Sequence, residues 1–343
     1  MAKIRKLTLL DIKKLQKLVD LVDNEMPSNV LTEHNFTPFP LDVLHDLLPV
    51  DRKFLQESYV AVEDNEILGL IGIIADGHEK SRWKINRLIL NTNAYDVGKQ
   101  LVDYVVNKYG GAGIETFLTV IDDRHEEAIS LFKNACMFRS CAQIQVWSID
   151  NLSDLVDNQE ITDFVPQKPY HSQKLYELYQ QALFPQFRPS LTKSPKDFEI
   201  SLVMKLQMSL KKESIDRFVL NNPDKKSIEG YFTIYTADNK DFWFDVVLSL
   251  GYTEYYETIL KFVVKFVTDK NPSAKLNVYA RKYFQNSSKL VDLLEKNNFK
   301  WSRSYQVLVK DYWKPAKLKA DEKKSPIIIF PDITSPAFKG TKL

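Results

Sequence analysis

The chain has two cysteines, Cys136 and Cys141, in 343 residues. A C-x4-C spacing without a second pair matches no common zinc framework and no disulfide scaffold, and two thiols fit a reducing compartment. Glycine is also scarce, with ten in the whole chain. No G-x-G-x-x-G, P-loop or G-x-S-x-G is present, so the dinucleotide fold, the P-loop NTPases and the nucleophile elbow find no support. No apolar run approaches the roughly 18 residues that a membrane span needs. The start, "MAKIRKLTLL", has no apolar core or small-residue cleavage site of a signal peptide. Charge of one sign is lacking too: 47 Lys and Arg face 45 Asp and Glu, a net +2. That balance gives no general attraction to nucleic acid or to an anionic membrane. The expectation is a cytoplasmic protein with no metal, no nucleic acid and no membrane partner.

What is present is a folding sequence of two-domain length. Apolar residues make up 44% and aromatics 12%, enough for two sizeable cores. "KIRKLTLLDIKKLQKLVDLVD" reads as a short strand and a helix, with Ile12, Leu15, Leu18 and Val19 at helical spacing. A proline-containing loop and a short helix, "LDVLHDLLPV", follow. "SYVAVEDNEILGLIGIIAD" is a hairpin around Asp64-Asn65, and "WKINRLILN" is a third strand. "AYDVGKQLVDYVVNKYGG" is an amphipathic helix stopped by Gly110 and Gly111. "IETFLTVID" is a strand, "EEAISLFKNAC" a helix and "FRSCAQIQVWSI" a last strand. After a polar stretch the order returns: "SQKLYELYQQAL" and "DFEISLVMKLQMSL" are helical, and "DRFVLNNPDKKSIEGYFTIYTAD" is a hairpin. "DFWFDVVLSLG" is a strand, "TEYYETILKFVVKFVTD" a helix, "AKLNVYA" a strand, "NSSKLVDLLEKNN" a helix and "FKWSRSYQVLVKDYW" a strand.

The return keeps register. Ile67 and Ile228, Gly69 and Gly230, and Phe138 and Phe299 each lie 161 positions apart. The chain therefore divides into an α/β domain over 1–150, a linker over 151–162, a second copy over 163–311 and a lysine-rich tail over 312–343. The tail's "KPAKLKADEKKSP" is a solvated tract, and the apolar "IIIFPDI" after it either packs on the body or serves as a partner contact. The aromatics of the second copy, Phe242, Trp243, Phe244, Tyr252, Tyr255, Tyr256, Phe262 and Phe266, read as core in preference to a stacking surface.

The element order resembles the GNAT superfamily of acyl-CoA-dependent N-acyltransferases, here as a tandem pair. The resemblance rests on "WKINRLILNTNAYDVGKQLVDYV", similar to the family's cofactor strand, loop and helix, and on "AISLFKNACMF" with its counterpart "KLVDLLEKNNF". It implies two GNAT-like domains, each a mixed, mostly antiparallel sheet flanked by helices. It implies acetyl-CoA or another acyl-CoA as co-substrate and a small-molecule or peptide amine as acceptor.

The implied cofactor residues are the strand edge Leu88, Ile89 and Leu90 and the loop-helix start Asn93, Asp96, Val97, Gly98 and Lys99. A helix N-terminus presents free N–H groups and a positive dipole to a pyrophosphate, and glycine lets the backbone come close. Of the family's R/Q-x-x-G-x-G/A pattern only Gly98 matches. Asn93 stands in the Arg/Gln place, and Asp96 stands in the first glycine's place, where it would also serve as a helix N-cap. In the second copy Ile259 takes the Gly98 position, so that copy reads as unable to hold the cofactor. The family's late-helix tyrosine is replaced by Phe132 and Lys133 in one copy and by Leu293 and Leu294 in the other. Glu115, Asp122 and Asp123 are the acidic candidates for a base facing the amine. The acceptor pocket falls in the early segment around Met26–Val50. Of the five histidines, His78 and His125 sit beside acids and read as exposed charge. The alternative to an acyltransferase is a GNAT-fold scaffold or an acyl-CoA sensor without turnover.

Overall fold

The computed structural model describes residues 2–22, 56–77, 81–91, 95–155, 164–199, 214–222 and 227–312. The expected helix at 41–50, residues 200–210 of the one expected at 197–210, most of the polar linker, Asn93, His78 and the tail beyond Tyr312 lie outside the described residues. The first copy contains β1 (Lys3–Lys6), α1 (Ile12–Val22), β2 (Glu57–Glu63), β3 (Glu66–Ala75), β4 (Arg82–Leu90), α2 (Tyr95–Gly111), β5 (Thr116–Asp122), α3 (Glu126–Ser130) and β6 (Arg139–Ile149). The second contains β7 (Phe164–Pro166), α4 (Ser172–Ala182), α5 (Arg188–Leu191), β8 (Ser214–Asn222), β9 (Ser227–Thr236), β10 (Asp241–Leu248), α6 (Tyr255–Lys270), β11 (Lys275–Arg281), α7 (Ser287–Lys296) and β12 (Lys300–Asp311).

Local chemistry accounts for these elements. Asp64 and Asn65 both take left-handed φ, +48° and +67°, the backbone of a type I′ hairpin turn that twists with its strands. On α1 the helical spacing puts Leu15 and Leu18 into a core with Val60, Leu70 and Ile89. On α2 the buried face is Leu101, Val102, Val105 and Val106, packed with Ile71, Ile73 and Phe117. On α6 it is Ile259, Leu260, Val263, Val264 and Val267, packed with Phe232, Phe244 and Val278. Each such side chain contributes about 1.5–3 kcal/mol on full burial. Phe242, Trp243 and Phe244 are buried, and Phe218, Phe232, Phe262 and Phe266 form one ring cluster, so much of the aromatic wealth of the second copy is core.

The described strands form one twelve-stranded sheet in the order β1-β2-β3-β4-β5-β12-β6-β11-β10-β9-β8-β7. Only β4–β5 and β10–β11 are parallel. The repeat holds in detail. β9 starts and ends 161 residues after β3. Both hairpins carry a bulge at one site, between Ala61 and Val62 and between Leu220 and Asn221. Gly69 and Gly230 are each crowded by a leucine of the next strand, with Leu90 Cδ2 2.9 Å and Leu248 Cδ2 2.7 Å from where a Cβ would stand. Met137 and Asn298, again 161 apart, have φ of +60° and +61°.

The sheet departs from a simple pair of domains at its centre. β12, the end of the second copy, lies beside β5 of the first, and β6, the end of the first, lies beside β11 of the second. β6 and β12 pair with each other from Lys300–Ser148 to Val309–Arg139. The copies have thus exchanged their last strands, so 1–150 and 163–311 divide the sequence but not the sheet. The pattern of β6 and β12 is equivalent in both copies, and either strand satisfies the same ladder edge; nothing in the spacing selects between them.

Candidate active site

In the first copy β4 and β5 are paired only over Arg82–Lys84 with Thr116–Leu118. Beyond Lys84 a bulge at Asn86 shifts the β3–β4 register between Gly72 and Ile73, and the two parallel strands separate. The strand edges past that point, 85–90 and 119–122, have no ladder partner across the gap. In the second copy β10 and β11 pair over Asp241–Asp245 with Lys275–Tyr279, so the pairing ends at the positions equivalent to Lys84 and Leu118, and β10 has no bulge against β9. A bulge bends its strand and frees backbone groups; the two splits open at the same place, and only the first lies beside a bulged strand.

Leu88, Ile89 and Leu90 line this edge as expected of the strand. Ile89 points into the α1 core, while Leu88 and Leu90 pack on the α2 side. The first turn of α2 stands beside it. Tyr95 and Asp96 are exposed, Val97 is half-buried and Gly98 is buried. A Cβ on Gly98 would lie 2.7 Å from Leu90 Cδ1 and 2.8 Å from Leu131 Cδ2. Gly98 thus lets α2 approach β4, and its open side is filled by leucine. Asp96 is inside the helix, which begins at Tyr95. It is not the N-cap expected from sequence; it is a first-turn acid that complements the dipole there. Lys99 points along the helix to Asp103, its ion-pair partner. In the second copy Ile259 is fully buried at the place of Gly98.

The three acidic candidates separate. Glu115 is exposed at the paired end of the strands, where its N–H bonds the Ser81 carbonyl; the split opens at the other end. Asp122 is 4% exposed at the open end. Arg124 donates to it from Nε (2.9 Å), Nη2 (2.7 Å) and its backbone N–H (3.0 Å). Burial pushes the Asp122 carboxyl up, but Arg124 outweighs it and the carboxyl ends below its ordinary range. Asp123 is half-buried. Its Oδ2 accepts from Gln143 Nε2 at 3.3 Å, and its Oδ1 is buried with no hydrogen-bond partner. β12 supplies this end of the split as well: the Asp123 N–H bonds the Ser304 carbonyl, and Tyr305 pairs with Asp122.

His125 corrects the sequence reading, which took it as exposed charge. It is half-buried, its Nε2 is buried without a partner, and burial lowers its pKa despite the nearby Asp122 carboxylate. A neutral imidazole at this position can accept a proton. The signal in "DDRHEE" was its location at the carboxyl end of a parallel strand, where α/β clefts open. Phe132 is fully buried against Phe138, so no hydroxyl stands in for the late-helix tyrosine. Burial pushes the Cys136 thiol up to about 11, which keeps it a thiol near neutral pH. Among the described residues no cluster of His, Cys, Asp and Glu could hold a metal ion, and no helix is long and apolar enough to cross a membrane.

No family model and no curated protein matches the sequence. Solved structures do match the fold. A tandem GNAT protein from the clavulanic acid biosynthesis pathway superposes at TM-score 0.56 with 10% identity, over 92% of this chain and 100% of that one. A GCN5-related N-acetyltransferase from Sphaerobacter thermophilus gives 0.57 and 13%, over 91% and 96%. Another from Anabaena variabilis gives 0.50 and 14%, over 90% and 72%. With a mostly antiparallel sheet split at one parallel pair in each copy, and neighbours that include a two-copy protein, the chain has the fold of the GNAT acetyltransferases.

Proposed function

We propose that the protein is an acyl-CoA-dependent N-acyltransferase whose first copy carries the reaction. The observation behind this reading is an asymmetry beside two splits that open at equivalent places: the first has a bulged strand and a glycine-containing helix start, whereas β10 has no bulge and Ile259 fills the place of Gly98. Acyl-CoA would lie with its thioester along the free edge of Leu88–Leu90 and its phosphates near the first turn of α2. There the backbone N–H groups favour an anion, and the Asp96 carboxylate opposes it. Bound acyl-CoA supplies the thioester. The acceptor amine attacks its carbonyl carbon, the C–N bond forms, the C–S bond breaks, and a proton leaves the nitrogen. Asp123 and His125 are the groups suited to take that proton, because Asp122 is held acidic by Arg124. The second copy contributes β12, which walls the open end.

Calorimetry with acetyl-CoA and a thiol-release assay against a panel of amines test this. The expected outcome is binding and turnover. Asp96→Asn should bind several-fold tighter at low salt, within the roughly 10 Å over which charges are felt at 0.1 M. His125→Gln or Asp123→Asn should lower kcat with KM for acetyl-CoA little changed. Binding without turnover on any amine would favour the scaffold or sensor reading, which the Asp96 charge and the missing tyrosine also support. No binding at millimolar acetyl-CoA would end the cofactor assignment.

A further inference from the structure

The two neighbouring carboxylates at the open end of the split are held in opposite ways. Arg124 gives Asp122 its Nε, its Nη2 and its backbone N–H. A guanidinium so placed takes much of the basicity from a carboxylate. Among the described residues the Asp123 carboxylate has a single hydrogen bond, from Gln143 Nε2 to Oδ2 at 3.3 Å, and its Oδ1 is buried without a partner. A neutral amide orients a carboxylate and leaves it basic. A buried oxygen with no donor is costly, and packing alone does not call for it.

Gln143 reaches Asp123 across a strand of the other copy. It lies on β6, which β12 separates from β5. Its backbone is fixed on both sides: it is level with Gln306 on β12, and its carbonyl accepts the Lys282 N–H at 3.0 Å. The Asp123 N–H bonds the Ser304 carbonyl of β12 at 2.9 Å. Amide donor and carboxylate are thus each pinned to β12, and the side-chain contact spans it.

The second copy serves as an internal control. At the 161-residue offset Ser304 stands for Gln143, Phe284 for Asp123 and Asn286 for His125. Phe284 is buried against the rings of Tyr179 and Tyr283. Asn286 Nδ2 donates to the Leu248 carbonyl at 3.0 Å. Carboxylate, amide donor and imidazole are therefore replaced together in the copy whose helix start carries Ile259, and a phenyl ring meets the needs of packing there.

We propose that Gln143 is a positioning residue for the acyl transfer: its amide holds Asp123 Oδ2 and leaves Oδ1 to take the proton from the acceptor nitrogen. The proposal rests on the acyltransferase reading above. As the C–N bond forms, the N–H proton passes to Asp123 Oδ1 and the C–S electrons leave with the thiolate. The proton then returns to the thiolate or to solvent, which restores the carboxylate.

The test uses the full chain as wild type, Gln143→Leu, Asp123→Asn and the double variant. With the amine turned over fastest, Gln143→Leu should lower kcat about tenfold, the range of a hydrogen bond to a charged group, and leave KM for acetyl-CoA unchanged. The amide donates to the ionised carboxylate, so its loss should move the acid limb of kcat/KM to higher pH by about one pH unit. A carboxyl NMR titration of Asp123 without CoA should move the same way. The Asp122–Arg124 pair stays charged in this range in every variant. In the Asp123→Asn background Gln143→Leu should cost nothing further, because the amide acts through the carboxylate. If leucine lowers Tm, Gln143→Met, nearer in shape, carries the same measurements. Losses that multiply in the double variant, or a limb and a titration that stay where they are, would overturn the proposal. A wild-type protein that acylates no amine would overturn it together with the acyltransferase reading. The titration tells that failure from a missing Gln143–Asp123 contact, since it needs no turnover.

Discussion

Gly98 was read from the sequence as a point of contact for phosphate, and the structure gives it a prior duty in packing. A methyl group there would press on the ends of Leu90 and Leu131. Both can turn aside, and the helix gains about 1 kcal/mol in going from glycine to alanine. Gly98→Ala should therefore be near neutral in a denaturant melt. Gly98→Glu forces a carboxylate into the same place and should cost about 3 kcal/mol or more, the scale of a buried unpaired charge. A glutamate variant as stable as wild type would place the residue outside the core. Asp122 gives a pH signature of the same kind. Its folded pKa is lowered by Arg124, so its contribution is present above the unfolded value of about 3.9 and is lost as pH falls through the lower folded value. Asp122→Asn should lower stability at pH 7, and the gap from wild type should close in acid. A gap that persists unchanged at pH 2 would show that the loss is not electrostatic.

Among the elements, the turn before each exchanged strand repays comparison. In each copy the chain leaving the late helix passes through a residue with left-handed φ, Met137 or Asn298, and enters the strand through Phe138 or Phe299. Asn298 tolerates that conformation, while Met137 is strained in it; left-handed φ costs about 1–2 kcal/mol for an ordinary L-residue. Met137 is 74% exposed, so its side chain returns little. Met137→Gly should raise stability by about 1 kcal/mol, read as a higher midpoint in urea. A lower midpoint would mean that the methionine packs in solution. The same turn ends "AISLFKNACMF", one of the stretches on which the resemblance rests. The sequence showed the aromatic but hid the left-handed residue before it, because methionine occupies that place.

For the whole molecule, the exchange of β6 and β12 is decisive. A fragment of residues 1–150 lacks β12, and both β5 and β6 lose a partner. Two such fragments restore every ladder if the β6 strands pair with each other, since β6 and β12 are equivalent in register. The fragment should therefore form a homodimer, seen by light scattering on a sizing column. A stable monomer would mean that β6 folds back against β5 and that the exchange is not needed. In the intact chain the two copies are tied into one unit through Tyr312, and Asp122 of the first copy faces Tyr305 of the second. The candidate site is consequently built from both copies although the proposed chemistry lies in one.

Hydropathy spacing alone determined the strands, helices and hairpins, because period and turn chemistry are local. It also determined the repeat, because Gly69 and Gly230 need the same close approach and so keep the same offset. Three matters were decided only by tertiary structure. β6 and β12 satisfy the same edge, so their exchange depends on which strand reaches it. His125 looks like surface charge until the fold buries its Nε2. Arg82 of the first copy reaches the Ser190 and Thr192 carbonyls of the second only because the two copies share one sheet. Burial and long-range proximity, which set the charge of a carboxylate or an imidazole, are properties of the folded chain and have no spacing in the sequence to announce them.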